Sequence, residues 1–311
     1  MKNILVVGSS NTDMIIKVPR IPRPGETVLG GDFSMAPGGK GANQAVSAAR
    51  AGGRVTFIAR VGDDVFGGQA LGNLEADGID VRFVLRDPRA PSGVALINVG
   101  RDGENSISVA SGANALLSPD DVRSAGQAFD GADVLLLQLE TPLETVRAAA
   151  ALASARGIPV ILNPAPARPL EGDLLAMTGI LTPNETEAEI LTGMKIEDLE
   201  DVKKAASVLR ARGPGLVVVT LGERGCYAAA EEFEGFVPAF RVPPVDTTAA
   251  GDVFNGALAV ALAEKRPLRD ALLFASAAAA LSVTKPGAQP SAPRRIEIEE
   301  FLAAGPGPRP A

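Results

Sequence analysis

The chain of 311 residues has no histidine at all. That absence excludes Ser-His-Asp and Cys-His nucleophile systems, HExxH zinc sites and every histidine base. Any proton transfer must therefore fall to carboxylates or lysine. A single cysteine, Cys226, rules out an intrachain disulfide and suits a reducing compartment. There is no basic surplus either. The net charge is −7, which argues against a nucleic-acid partner gripped by a basic surface. Long apolar runs are missing. The nearest candidate, Ala271 to Val283, is rich in alanine, broken by serine and too short to span a bilayer. The start, Met1-Lys-Asn, leads directly into Ile4-Leu-Val-Val7, too brief for the apolar region of a signal peptide. These features together predict a cytoplasmic protein with no membrane partner.

What is present is a β–α rhythm. Strand-like runs at Lys2–Gly8, Val55–Arg60, Val134–Leu139, Pro159–Leu162, Gly179–Leu181 and Leu216–Thr220 alternate with helix-like segments: Ala36–Arg50, a glycine-rich turn feeding a helix, then Gly67–Asp77, Leu143–Arg156 and Asp201–Arg212. Cys226–Ala230 and Phe236–Val242 read as an antiparallel pair, and three further helices over 252–264, 268–282 and 296–304 close the chain. The Gly-Pro-rich tail from Gly305 is expected to fray. Alternation of this kind specifies an α/β fold with a central, mostly parallel sheet flanked by helices. Two strand-only excursions, at approximately 11–35 and 91–111, do not fit the alternation; Met14–Val18 with Thr27–Leu29, and Gly93–Val99 with Asn105–Val109, supply their strands. They predict a small β-sheet lid over an edge of one domain spanning 1–311.

The chemistry concentrates in Val245-Asp-Thr-Thr-Ala-Ala-Gly-Asp-Val-Phe-Asn-Gly-Ala-Leu258. Small residues run into an apolar helix, so the amides of Ala249, Ala250 and Gly251 lie bare at a positively polarised helix start, a setting for an anion. Asp252 beside them could take a proton from a hydroxyl during phosphoryl transfer. An acid at this position also serves simply to complement the helix dipole, and spacing alone leaves both roles open. Gly38-Gly-Lys-Gly-Ala-Asn43 is neither a Walker A loop, since Gly41 follows the lysine, nor a dinucleotide fingerprint, which fails at Gln44. Its exposed backbone with Lys40 and Asn43 suits a polyhydroxylated ligand. Further polar clusters follow successive strands: Asn11 with Asp13, Glu140, Asn163, Asn184 with Glu187, and Thr220–Gly225. Open parallel sheets bind ligands at that rim.

These stretches together resemble the ribokinase, or PfkB, family of carbohydrate kinases. Gly38–Ala45 looks like its first signature and Asp246–Ala257 like its second. Similar wording stands in Asn163-Pro-Ala-Pro-Ala, Pro183-Asn-Glu-Thr-Glu-Ala-Glu-Ile-Leu-Thr-Gly193, Thr220-Leu-Gly-Glu-Arg-Gly225 and Lys285-Pro-Gly-Ala-Gln-Pro-Ser291. The resemblance covers nearly the whole chain. It implies a three-layer fold with a lid, a homodimer clasped through the lids, and ATP-dependent phosphorylation of D-ribose at O5.

By the same resemblance, Asn11, Asp13, Gly39, Lys40, Gly41, Ala42, Asn43, Glu140 and Asp252 would hold the sugar. Asp252 would be the base, with the amides of Ala249, Ala250 and Gly251 as anion hole. Asn184, Thr220, Leu221, Gly222, Glu223, Arg224, Gly225, Gly251, Asp252 and Ser276 would meet ATP. Glu187 would help place Mg²⁺, and K⁺ would take Asp246 and Ser291 with carbonyls near Thr248, Ser282, Lys285 and Gly287. An all-oxygen set of this kind suits hard cations. Two positions depart from the family pattern. Ser276 replaces a frequent histidine or asparagine at the adenine, and Pro286 replaces a frequent second basic residue. Another sugar such as deoxyribose or fructose, and a non-catalytic sugar- or nucleotide-binding protein, are the competing expectations; the acidic and neutral contacts disfavour a sugar acid.

Overall fold

The computed structural model describes residues 1–305, so the tail expected to fray lies outside the described residues beyond Gly305. Thirteen strands occur in it: β1 (Asn3–Val7), β2 (Asn11–Lys17), β3 (Phe33–Gly38), β4 (Arg54–Gly62), β5 (Asp80–Asp87), β6 (Gly93–Val99), β7 (Asn105–Ala110), β8 (Val134–Leu137), β9 (Val160–Leu162), β10 (Ile180–Leu181), β11 (Leu216–Thr220), β12 (Gly225–Ala229) and β13 (Glu234–Pro238). Nine form one sheet in the order β13-β12-β11-β10-β9-β8-β1-β4-β5, and four form a second in the order β3-β2-β6-β7. Pairing in the large sheet is parallel from β11 through β5, and antiparallel only at β11–β12 and β12–β13.

Each central strand is apolar on both faces, because helices cover both. In β1, Ile4 and Val6 join one core with the helices Lys40–Arg50, Ala250–Ala263 and Leu268–Ser282. Leu5 and Val7 join the other with Leu143–Ser154 and Leu199–Ala211. A parallel sheet buried on both sides requires this continuous hydrophobicity. Among the described residues, no helix is long and apolar enough to cross a membrane.

The four-stranded sheet confirms the strand-only excursions but moves one of their strands. Thr27–Leu29 pairs with nothing, and Leu29 is 89% exposed. The partner of β2 is instead Phe33–Gly38, set in register by the Lys17 N–H to Asp32 carbonyl bond (3.0 Å) and the Gly31 N–H to Lys17 carbonyl bond (2.8 Å). The stretch at 36–38 is thus the end of a strand rather than a turn. The turn itself falls on Gly39, whose φ of 88° lies in the region that glycine occupies without strain. The first excursion accordingly ends at 38 rather than 35. β5 and the short helices Pro119–Ser124, Gly172–Met177 and Glu185–Thr192 were not foreseen from the sequence.

Candidate active site

Two cavities open at the C-terminal rim of the large sheet. The first, of about 320 Å³, has Asn11, Asp13, Lys40, Asn43 and Glu140 on one side and Asn184, Glu187, Thr220 and the Thr247–Asp252 turn on the other. Ala95, Ile97, Ile107 and Val109 of the small sheet form its apolar wall. They share one face because alternate residues of paired strands do, and Asp13, Ala95 and Val109 stand opposite one another in register. The second cavity, of about 560 Å³, is lined by Gly222, Gly225, Phe240, Val242, Ser276, Ala279 and Val283 among others. Thr220, Thr247, Ala250 and Gly251 line both.

The wall between them is the start of the Ala250–Ala263 helix. Ala249 caps it in the left-handed conformation, φ 58°, and no side chain bonds the freed amides. Val253 N–H makes the first α-helical turn, to the Ala249 carbonyl at 2.9 Å, while Ala250 N–H makes a long 3.3 Å bond to Thr247. The amides of Ala249, Gly251 and Asp252 have no backbone acceptor among the described residues. A Cβ placed on Gly251 would meet nothing within 4 Å, so the approach to these donors is open. Unpaired donors at a polarised helix start form an anion site.

Asp252 lies beside this turn and is only 6% exposed. Its Oδ2 accepts from Asn43 Nδ2 at 3.0 Å and its Oδ1 from Gln44 Nε2 at 2.9 Å. Burial pushes its pKa up. Lys40 and the two amides oppose the rise, and the net shift is upward. The Lys40 ammonium is held above its ordinary value, first by Asp252 and then, against burial, by Glu140, Glu187 and Asp13. Glu140 Oε2 accepts from Ser9 Oγ at 2.5 Å and from the Lys40 amide at 2.9 Å, which fixes the Gly39 turn to the strand end.

Asp13 is pushed up to about 6, by burial first and then by Glu140 and Asp252, against Lys40. Its unfolded-state value is the ordinary 3.8, so the folded protein binds that proton more tightly. Stability from this group is therefore greatest below 3.8 and declines as pH rises towards about 6. Asp13→Asn is expected to unfold a few degrees higher than the parent at pH 7.5, roughly the shift that a change of about 1 kcal/mol produces. A thermal melt of both at pH 4 and 7.5 checks it; a higher midpoint at pH 4 alone would contradict the assignment.

Not every anticipated residue faces the cavities. Gly41 and Ala42 turn inward, because the helical period points them at β1. A Cβ on Gly41 would lie 2.5 Å from the Ser9 amide nitrogen, and Ala42 N–H bonds the Ser9 carbonyl at 2.8 Å. Leu221 is buried in the core, so only its backbone borders the turn. Arg224 pairs with Glu185 and Lys285 with Glu297 (2.7 Å), both away from the seam. Asn184 and Glu187 cap their helix reciprocally: Asn184 Oδ1 accepts from the Glu187 amide and Glu187 Oε2 from the Asn184 amide, both at 2.8 Å. Burial raises the Glu187 carboxyl, opposed by that amide and Lys40.

Behind the seam, the loop holding Asp246 and Thr248 joins the loop from Ser282 to Ser291. Asp246 Oδ2 accepts from the Gly287 amide (2.8 Å), Oδ1 from the Thr248 amide (2.9 Å), and the Asp246 N–H reaches the Val283 carbonyl (3.2 Å). Burial raises the Asp246 carboxyl, but those bonds outweigh it and leave it below its ordinary value. Ser291 is fully buried with its hydroxyl on the Ala288 carbonyl (2.7 Å). Among the described residues, no three histidine, cysteine or acidic side chains cluster as a metal site. One carboxylate among hydroxyls and carbonyls is a donor set that fits a hard, weakly charged cation. Sequence reasoning missed Gln44, Gln138, Ser9 and Gln289, whose buried amides and hydroxyl stand behind the named residues.

A buried carboxylate at the seam of two cavities, next to unpaired backbone donors, is the layout of a two-substrate phosphotransferase. The pfkB family carbohydrate kinase model matches residues 1–295. A ribokinase of Haemophilus influenzae is 46% identical over 301 residues, covering 97% of this chain and 98% of that protein. A deoxyribokinase of Salmonella typhi is 40% identical over 302 residues, covering 97% and 99%. The structure of Arabidopsis thaliana ribokinase complexed with ribose and ATP superposes with a TM-score of 0.88 at 34% identity, covering 97% of this chain and 99% of that one. The chain belongs to the PfkB family of carbohydrate kinases.

Proposed function

We propose that this protein is an ATP-dependent ribokinase that converts D-ribose and ATP to D-ribose 5-phosphate and ADP. The observation that carries this reading is the shared wall: the polar cavity and the apolar cavity meet at Ala250–Gly251, and Asp252, next along the helix, lines the polar one. The sugar lies in the first, held by Asn11, Asp13, Gly39, Lys40, Asn43 and Glu140. The nucleotide lies in the second, its adenosine against Phe240, Val242 and Ser276 and its phosphates along Asn184, Thr220 and the Gly222–Gly225 turn. Asp252 takes the proton of the primary hydroxyl as that oxygen attacks the γ-phosphorus and the bond to ADP breaks. The amides of the Ala249–Asp252 turn hold the charge that gathers on the migrating phosphoryl oxygens.

Mg²⁺ would supply charge neutralisation for the ATP phosphates, and Glu187 would help to place it. K⁺ would be held by Asp246 and Ser291 with carbonyls near Thr248, Ser282, Lys285 and Gly287, adding positive charge behind the anion site. The small sheet acts as a lid that excludes water from the sugar, and the whole chain works as one domain. Phe33, Met35 and Leu96, exposed on the face of the small sheet opposite the cavity, support pairing of two lids in a homodimer. Four carboxylates around a single lysine favour a neutral sugar over a sugar acid.

The test is ADP formation across D-ribose, 2-deoxyribose, fructose and other pentoses and hexoses, with and without potassium. Ribose is expected to exceed the others in kcat/KM by at least about tenfold, since one lost hydroxyl leaves buried polar partners unpaired. Potassium is expected to raise turnover. Preference for 2-deoxyribose would reassign the substrate within the class, and no ADP with any sugar would point to a binding protein.

A further inference from the structure

The carboxylate of Asp252 is held by amides on two consecutive residues of the Lys40–Arg50 helix, and each amide is itself oriented by a buried glutamine. Asn43 Oδ1 accepts from Gln289 Nε2 at 3.2 Å, which turns Asn43 Nδ2 towards Asp252. Gln44 Oε1 accepts from Gln138 Nε2 at 2.6 Å, which turns Gln44 Nε2 towards Asp252 Oδ1 and, at 3.1 Å, Asn163 Oδ1. Asn43 lines the sugar cavity, whereas Gln44 is fully buried and does not.

From Asn163 the chain of bonds continues. Asn163 Nδ2 donates to the Thr182 carbonyl at 3.0 Å, Thr182 Oγ1 to Asn255 Oδ1 at 2.6 Å, and Asn255 Nδ2 to the Gly251 carbonyl at 2.8 Å. The path that starts on the base thus returns to the turn bearing the anion donors. Every polar atom of the Gln44 amide is used in it, so flipping that amide would set donor against donor at Gln138 and acceptor against acceptor at Asp252.

We propose that Gln44, oriented by Gln138, is a positioning residue that keeps Asp252 ionised and aimed at the substrate hydroxyl, an inference that rests on Asp252 being the base. A hydrogen bond to the charged form of an acid favours that form. It matters here because burial, Glu140, Asp13 and Glu187 all press Asp252 towards protonation, and Lys40 is the one cation that faces it among these groups. Gln138 serves the same end. It is buried, its Oε1 has no partner, and a Cβ on Gly8 would sit 2.2 Å from that oxygen. An unpaired buried oxygen costs stability, and the bond that Gln138 does make is the one to Gln44 Oε1.

The experiment is the pH profile of kcat for the parent, Gln44→Met, Gln138→Met and the double variant, with the sugar KM measured alongside. For Gln44→Met, the acid limb of kcat should move up by about one pH unit, the effect of losing a bond of roughly 1.4 kcal/mol to the charged form. Turnover should then fall more along the acid limb than on the alkaline plateau, by up to about tenfold at its acid end, with sugar KM within about threefold of the parent. Gln138→Met should shift the limb in the same direction by less, and the double variant no further than Gln44→Met. A loss equal at every pH, or an additive double, would overturn the inference as mere packing. If Gln44→Met does not fold, an unmoved limb in Gln138→Met overturns the orienting role. Asp252→Asn separates the two levels: retained turnover there refutes the base itself, whereas a dead Asp252→Asn with an unmoved limb in Gln44→Met refutes only this inference.

Discussion

Asp252→Asn is expected to lose turnover by at least about a thousandfold, within the range that removal of a positioned general base produces, while sugar still binds. The substitution keeps the shape of the side chain and removes its basicity. One oxygen still accepts from Gln44 Nε2, but the new NH₂ must face Asn43 Nδ2, and Gln289 holds that amide in place. One donor–donor contact replaces one charge-assisted bond, and a desolvated charge disappears, so the two changes in stability largely offset each other. Steady-state ADP formation and calorimetric titration with ribose are the measurements. Turnover within tenfold of the parent would remove Asp252 from the mechanism, and loss of sugar binding would make it a binding group rather than a base.

Gly256→Ala should combine a stability loss of about 2 kcal/mol, typical of an extra methyl in a filled core, with at least a tenfold fall in kcat. A Cβ there would stand 2.6 Å from the Gln44 carbonyl oxygen, 2.6 Å from Ser47 Cβ and 2.7 Å from Ser47 Oγ. The first of these is backbone and cannot swing away. The Ala250–Ala263 helix must then back off from the Lys40–Arg50 helix. The same contact carries the Ser47 Oγ to Val253 carbonyl bond of 2.8 Å and both amide bonds to Asp252. Chemical denaturation read beside kcat tests the link. A destabilised variant with parental kcat would show that the close approach serves packing alone.

Much of this site is legible in the sequence. Asp252, Lys40, Asn43 and Glu140 do converge on one cavity: Glu140 follows the parallel strand β8, Lys40 and Asn43 open the helix after β3 of the small sheet, and Asp252 opens the helix after the antiparallel β13. In the glycine-rich stretch, Gly41 and Ala42 miss the cavity for a geometric reason: a motif names consecutive residues, but a helix turns them about 100° apart. Gln44 escapes notice from the opposite side. It touches neither cavity, and its one sequence signal is a polar residue among Ala42, Ala45, Val46 and Ala48 on a buried helix.

In the fold, β5 is invisible to pattern reading because Asp-Val-Arg-Phe-Val-Leu-Arg-Asp mixes charge with apolar residues, as a half-exposed edge strand permits. The helices of six to eight residues are too short to show a period. Thr27–Leu29 has the β-branched look of a strand, but a strand is made by its partner, and the Lys17–Asp32 bonds give that place to Phe33–Gly38.

The hydrogen bonds that hold Asp252 and its partner Asn43 join residues 209, 208 and 246 positions apart along the chain. Arg50 reinforces the span by reaching the carbonyls of Gln289 and Ala292 at 2.7 and 3.1 Å. Contacts of such length close late during folding, since the intervening loop must be ordered first. On a ribosome, the sugar-side groups through Glu140 emerge long before Asp252 and Gln289. Until residues 252 to 289 have been made, the nascent polypeptide has neither Asp252 nor Gln289, so this network of bonds closes only near the end of synthesis.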